Sequence, residues 1–233
     1  MAGFRIDHRF CGPPDSGNGG YVAGMLAQAL GCAACQVTLQ SRPPLDRDLE
    51  VRLEPAGAGL FDGDTLVASA VPSAVEFDVP RPPTMAAAIE AERRYTGFEE
   101  HVFPTCFVCG PGRSPGDGLR IFAGALDDGT ELFAATWRPD ASLGDDDGLV
   151  RPEFVWAALD CPGYFAVQAQ AGPALLGRMV AHVFDRPRVG EPLIVTAWPV
   201  RHEGRKHYAG TALHSANGAL FAAARETWIS IPG

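Results

Sequence analysis

The apolar positions change period along the chain, and the changes mark its elements. Tyr21, Val22, Met25, Leu26, Ala29 and Leu30 recur at the 3.6-residue spacing of a helix, and Gly31 stands where that helix would stop. Small Ala23, Gly24 and Ala27 would let it lie close to a sheet. A strand is predicted over residues 4–11, and the turn-rich run Cys11-Gly-Pro-Pro-Asp-Ser-Gly-Asn-Gly-Gly20 leads into the helix. Strands follow over 36–41, 49–54 and 65–79. The pattern then breaks into Pro-rich chain holding a short helix over 85–94, with Thr84 as its N-cap. Beyond it, strands are predicted over 118–125 and 131–138, then an acidic loop over 144–148. A helix starts at Pro152, a residue suited to the first turn, and is expected to end at Asp160 before Cys161-Pro162-Gly163. Long strands over 175–184, 192–201, 207–214 and 219–231 close the chain.

One block recurs. With Arg42-Pro43 laid over Arg186-Pro187, Leu45 meets Val189, Leu49 meets Leu193, Val51 meets Val195 and Pro55 meets Pro199. Each copy has a helix before this block and a long β-like stretch after it, so the sequence reads as one unit used twice. The division is residues 1–80, a linker over 81–117, and residues 118–233. A helix followed by a long antiparallel run, performed twice, predicts an α+β fold with each helix packed across a curved sheet.

Composition narrows the function. With 46% hydrophobic and 20% charged residues in 233, the chain can bury a sizeable core. A net charge of −9 gives no general attraction to nucleic acid or an anionic membrane, and no nucleic-acid-binding motif is present. The stretch 19–35 is apolar apart from Gln28 but too short to span a bilayer, and Asp7 and Asp15 before it argue against a secretory leader. A cytoplasmic protein with six reduced cysteines is the expectation.

Two of those cysteine pairs have zinc-ligand spacing, Cys32-x-x-Cys35 and Cys106-x-x-Cys109, and four thiols suffice for a tetrahedral site. Cys32 and Cys35 straddle a helix end in an alanine-lined stretch, so buried inert thiols are the preferred reading and no metal is assigned. Thioredoxin-like activation would need the positive start of a helix, which these two lack. A Cys161/His182 nucleophilic pair has no supporting motif, and no phosphate-binding loop, dinucleotide fingerprint or nucleophile elbow occurs.

The segment Asn18-Gly-Gly-Tyr-Val-Ala-Gly-Met-Leu-Ala-Gln-Ala-Leu30 resembles the His-Gly-Gly helix opening of hot-dog-fold acyl-CoA thioesterases. Arg151-Pro-Glu-Phe-Val-Trp-Ala-Ala-Leu-Asp160 is similar to the helix of that fold that ends in a catalytic aspartate. Cys106-Phe-Val-Cys-Gly-Pro111 with Asp117-Gly-Leu-Arg-Ile resembles a segment ahead of hot-dog domains in thioesterase-like proteins. The resemblance covers most of the chain and implies a tandem (double) hot-dog fold of the acyl-CoA thioesterase II type.

Aligned on that resemblance, Gly20 falls over Glu153 and Ala27 over Asp160, so one copy keeps the glycine turn and the other the acid. The family pattern implies a composite site between the two units. Gly19 and Gly20 would offer helix-start N–H groups to an oxyanion, and Asp160 would activate water. Asn18 stands where the family has histidine and reads first as an N-cap. Asp160, at the negative end of its helix among Phe154, Trp156, Leu159 and Tyr164, is expected to have a raised pKa. Glu153 reads as a helix-dipole residue. Arg178 and His182, on one face of a strand, are further candidates for the site lining. The basic run Arg201-His-Glu-Gly-Arg-Lys-His207 is a candidate for the phosphates of coenzyme A. The implied activity is hydrolysis of an acyl-CoA or related thioester, with no cofactor beyond the coenzyme A of the substrate. The alternatives are a non-catalytic acyl-ligand binder and a hydratase or dehydratase. Two units in one chain make a pseudo-dimer, with which a further homodimer is compatible.

Overall fold

The computed structural model describes residues 2–232. Its strands are β1 (Ala2–Arg5), β2 (Ala34–Leu39), β3 (Asp48–Glu54), β4 (Gly57–Asp62), β5 (Thr65–Pro72), β6 (Gly124–Ala125), β7 (Phe133–Trp137), β8 (Ala174–Val183), β9 (Leu193–Glu203), β10 (Lys206–Ser215) and β11 (Leu220–Ser230). They form one sheet in the order β1-β3-β4-β5-β2-β8-β11-β10-β9-β7-β6. The β2·β8 ladder joins the first five strands to the last six, with Ala34 opposite His182 and Thr38 opposite Arg178, both strands running antiparallel. The fold is α+β.

Three helices complete it: α1 (Gly19–Leu30), α2 (Met85–Glu92) and α3 (Pro152–Ala171). The predicted local signals set two of them. Asn18 caps α1 by accepting from the Tyr21 N–H, and Gly31 ends it in the left-handed conformation at φ 74°. Thr84 caps α2 by accepting from the Ala87 N–H. No helix among the described residues is long and apolar enough to cross a membrane.

The third helix departs from expectation. It runs through Pro162 and Gly163 to Ala171 rather than ending at Asp160. A proline inside a helix costs about 3 kcal/mol, from a lost backbone hydrogen bond and a ring clash. Phe154, Val155, Trp156, Ala157, Ala158 and Leu159 are all buried, apolar on every side of the helix. Each large side chain among them contributes about 1.5–3 kcal/mol. Packing against α1, β9 and β10 therefore outweighs the local stop signal.

Three predicted strands are shorter than read: the one expected over 65–79 ends at Pro72, and the other two shorten for traceable reasons. Residues 118–123 form no strand because the Leu119 and Ile121 N–H groups donate instead to the carbonyls of Phe107 and Val108. The Cys106–Cys109 segment thereby packs into the core, with Phe107 and Val108 fully buried. Residues 8–10 leave β1 as a single 3-10 turn capped by Asp7. This turn brings Phe10 to stack on Tyr21 at 4.4 Å and to meet Phe107 edge-on at 5.0 Å. These aromatic contacts fasten the chain before α1 to the cysteine segment.

Candidate active site

Helices α1 and α3 cross antiparallel at very short range. A Cβ placed on Gly20 would lie 2.6 Å from Asp160 Cβ and 2.8 Å from the Trp156 carbonyl oxygen. One placed on Gly24 would lie 2.6 Å from Glu153 Cα. The crossing thus requires the small residues that the sequence supplies, and it sets the start of α1 against the middle of α3.

At that contact, Asp160 Oδ2 accepts from Asn18 Nδ2 at 2.7 Å and from the Gly20 N–H at 2.8 Å. Asp160 Oδ1 is buried without a partner. One oxygen is therefore fixed by two donors while the other is left with its full accepting capacity. Burial pushes the Asp160 pKa up to about 7, against the opposing pull of the Gly20 N–H and the Asn18 amide. Asp160 stands in mid-helix, so the helix end invoked from sequence plays no part in this shift and burial supplies it.

The carboxyl lies on the wall of a cavity of about 320 Å³, in the range of small-molecule sites. Its apolar lining includes Leu39, Phe103, Tyr164, Leu175, Leu176 and Trp228. Arg42, more than half exposed, brings a positive charge to the same wall, where it pairs with Asp15 at 3.4 Å. His101 lines it too, accepting from the Phe103 N–H through Nδ1 at 3.0 Å.

Of the residues singled out from sequence, Asn18, Gly19, Gly20 and Asp160 come together. Asn18 is both the cap of α1 and a donor to the acid. The Gly20 N–H is engaged by Asp160 and is unavailable to an oxyanion, whereas Gly19, the first residue of α1, has no intrahelical acceptor for its N–H and lines the cavity. Arg178 and His182 lie elsewhere. The exposed Arg178 donates to Thr38 Oγ1 at 3.1 Å, His182 packs on Phe184 at 4.1 Å, and neither lines the cavity. Their strand places them at the β2·β8 ladder, with side chains turned from the helices. The basic run forms the predicted β9–β10 hairpin, turning at Gly204, and does not line the cavity either. Glu153 is buried at the other end of the helix crossing, 3.4 Å from Arg151 Nε and accepting from Gln28 Nε2 at 2.7 Å.

The cysteines correct the sequence reading. Cys32 and Cys35 are bonded to each other as a disulfide, not reduced, so the two Cys-x-x-Cys pairs do not share a site. Cys106 and Cys109 instead meet Cys161 of α3, and all three line the cavity beside Asp160. Sequence spacing pointed to the first two. Nothing local pointed to the third, 55 positions from Cys106, because the contact exists only once α3 continues past Asp160.

No family model matches the sequence, and no curated protein matches it. Its fold does have solved relatives. A hot-dog-fold protein of unknown function from Alicyclobacillus acidocaldarius superimposes with a TM-score of 0.63 at 12% identity, over 99% of this chain and 93% of that one. A protein named as a thioesterase from Novosphingobium aromaticivorans gives 0.62 at 10% identity, over 99% and 95%. One named as a thioesterase II from Thermobifida fusca gives 0.62 at 14% identity, over 99% and 92%. At these identities the likeness establishes the fold: the chain has the hot-dog fold.

Proposed function

We propose that the protein hydrolyses an acyl thioester, with acyl-CoA as the substrate class, at a composite site between two hot-dog units fused in one chain. The observation that carries this reading is Asp160, held through one oxygen by Asn18 and Gly20 with the other oxygen free, on the wall of an apolar cavity. The apolar lining suits an acyl chain, and Arg42 at the exposed side suits the phosphates of the carrier.

In this mechanism a water donates a hydrogen bond to Asp160 Oδ1. As it attacks the thioester carbonyl, its proton passes to the carboxylate and the carbonyl oxygen becomes an oxyanion facing the Gly19 N–H. Collapse breaks the C–S bond, and the departing thiolate takes the proton from Asp160. A single N–H in the oxyanion position is a modest electrostatic contribution, so fixed orientation of the base and exclusion of bulk water carry the rest.

The test is thioester hydrolysis over short, branched, aromatic and long acyl-CoAs with a thiol-trapping dye, on wild type and Asp160→Asn. Turnover that disappears in the variant supports the reading. Turnover unchanged by the substitution overturns it, and tight acyl-CoA binding without turnover in wild type would make the protein a ligand carrier instead.

A further inference from the structure

We propose that Cys106, Cys109 and Cys161 form a metal site for zinc(II), a three-thiolate centre whose fourth tetrahedral position opens on the cavity beside Asp160. Their sulfur atoms all lie within 4.8 Å of one another, and those of Cys106 and Cys161 are 3.6 Å apart. With Zn–S bonds of about 2.3 Å, tetrahedral geometry places two sulfurs about 3.8 Å apart. The three thiols are thus already spaced for a common metal, and all three are buried.

The backbone around them is shaped for the same purpose. The Gly110 N–H closes a turn onto the Cys106 carbonyl at 2.9 Å. The turn demands glycine at its end, since a Cβ on Gly110 would lie 2.5 Å from both the Cys106 and the Pro104 carbonyl oxygens. Cys161 arrives from a different element, on the rigid α3. His101, also on the cavity wall, has a buried Nε2 with no acceptor. Its Nδ1 accepts from Phe103, which leaves the ring proton on Nε2, on the side of the Cys109 backbone.

The chemistry balances without a redox partner. Zinc displaces three thiol protons to solvent and leaves the three sulfurs as anionic ligands. Three protein ligands with the remaining position facing a cavity is the arrangement of zinc sites that keep an exchangeable ligand.

The experiment measures metal by inductively coupled plasma mass spectrometry on protein purified from zinc-containing medium without added chelator. The expected result is about one zinc per chain, falling about ten-fold in Cys161→Ser and unchanged in Cys32→Ser. Cobalt(II) replacing the metal in wild type should give thiolate-to-metal charge-transfer absorption, which does not depend on the variants folding. Wild-type protein that is metal-free, takes up neither zinc nor cobalt and keeps these three thiols open to a thiol reagent after denaturation overturns the site. So does a metal-free Cys106–Cys161 disulfide. Because the readouts are metal content and absorption, failure here is separate from failure of thioester hydrolysis.

Discussion

The two ends of the α1·α3 crossing carry buried carboxylates in opposite circumstances. At one end Glu153 faces the Arg151 guanidinium and accepts from Gln28, beside a depression lined by Ala27, Pro152, Phe184 and Arg186. At the other end Asp160 has two neutral donors on one oxygen, nothing on the other and an apolar cavity in front. In the sequence alignment of the two helices Gly20 falls over Glu153 and Ala27 over Asp160, and under the proposed double-unit reading the two environments are counterparts. A buried acid next to a cation is a structural tie. A buried acid without one keeps free accepting capacity, at a cost in desolvation that a purely structural role would not require.

The sharpest way to break this contrast is to remove each charge in turn. Asp160→Asn should lower hydrolysis by about 10²–10⁴-fold while leaving the fold intact, as read by circular dichroism and thermal melting. Glu153→Gln should leave turnover within about two-fold and lower stability by about 1–3 kcal/mol, because it leaves the half-buried Arg151 unpaired. If Glu153→Gln abolished turnover and Asp160→Asn did not, the assignment of the two ends would be reversed.

A smaller effect is expected from opening the crossing. Gly20→Ala must push α1 from Asp160, costing about 1–3 kcal/mol in urea unfolding and most of the activity. Gly24→Ala meets Glu153 and Trp156 instead, so it should cost similar stability with a much smaller loss of turnover. Equal losses of activity from both would mean that the crossing acts as a unit and its ends cannot be told apart.

The smallest effect concerns a third buried carboxyl on the Asp160 side. Glu226, only 1% exposed, accepts from the Trp228 indole at 2.8 Å and from Thr211 at 3.4 Å. Burial, with the Asp160 charge adding to it, holds its pKa well above the usual 4.5. The folded state therefore keeps a proton that the unfolded chain releases, and stability falls as pH rises above about 4.5 toward the folded value. Glu226→Gln should flatten that fall and raise the melting temperature at neutral pH. A variant melting below wild type across the whole range would show that the carboxyl is not held protonated.

Much of this was legible where the signal is local. The helical spacing of Tyr21–Leu30, the caps Asn18 and Thr84 and the stop at Gly31 depend on residues within one or two turns of each other, and all stand in the structure. The strand pattern from residue 174 onward survives to within two residues at each end for the same reason. What was lost is what packing decides. Pro162 and Gly163 read as a stop because neither shows in sequence that both sides of α3 are buried. The chain from 81 to 117 read as linker because irregular backbone has no period, although Tyr95, Phe107 and Val108 within it are core residues. Within the site, Asp160 and the glycine turn were reached through a resemblance, while the Gly20 N–H bond to Asp160 and the approach of Cys161 to Cys106 link segments 140 and 55 positions apart.

The close crossing of α1 and α3 has a kinetic corollary. The acid and its donors belong to one polypeptide, so their encounter is unimolecular, and its effective concentration is set by the covalent connection rather than by how much protein is present. A pocket completed by a second molecule empties of function as the solution is diluted. Here the partners travel together, and turnover per molecule should hold constant down to the lowest concentration at which it can be detected.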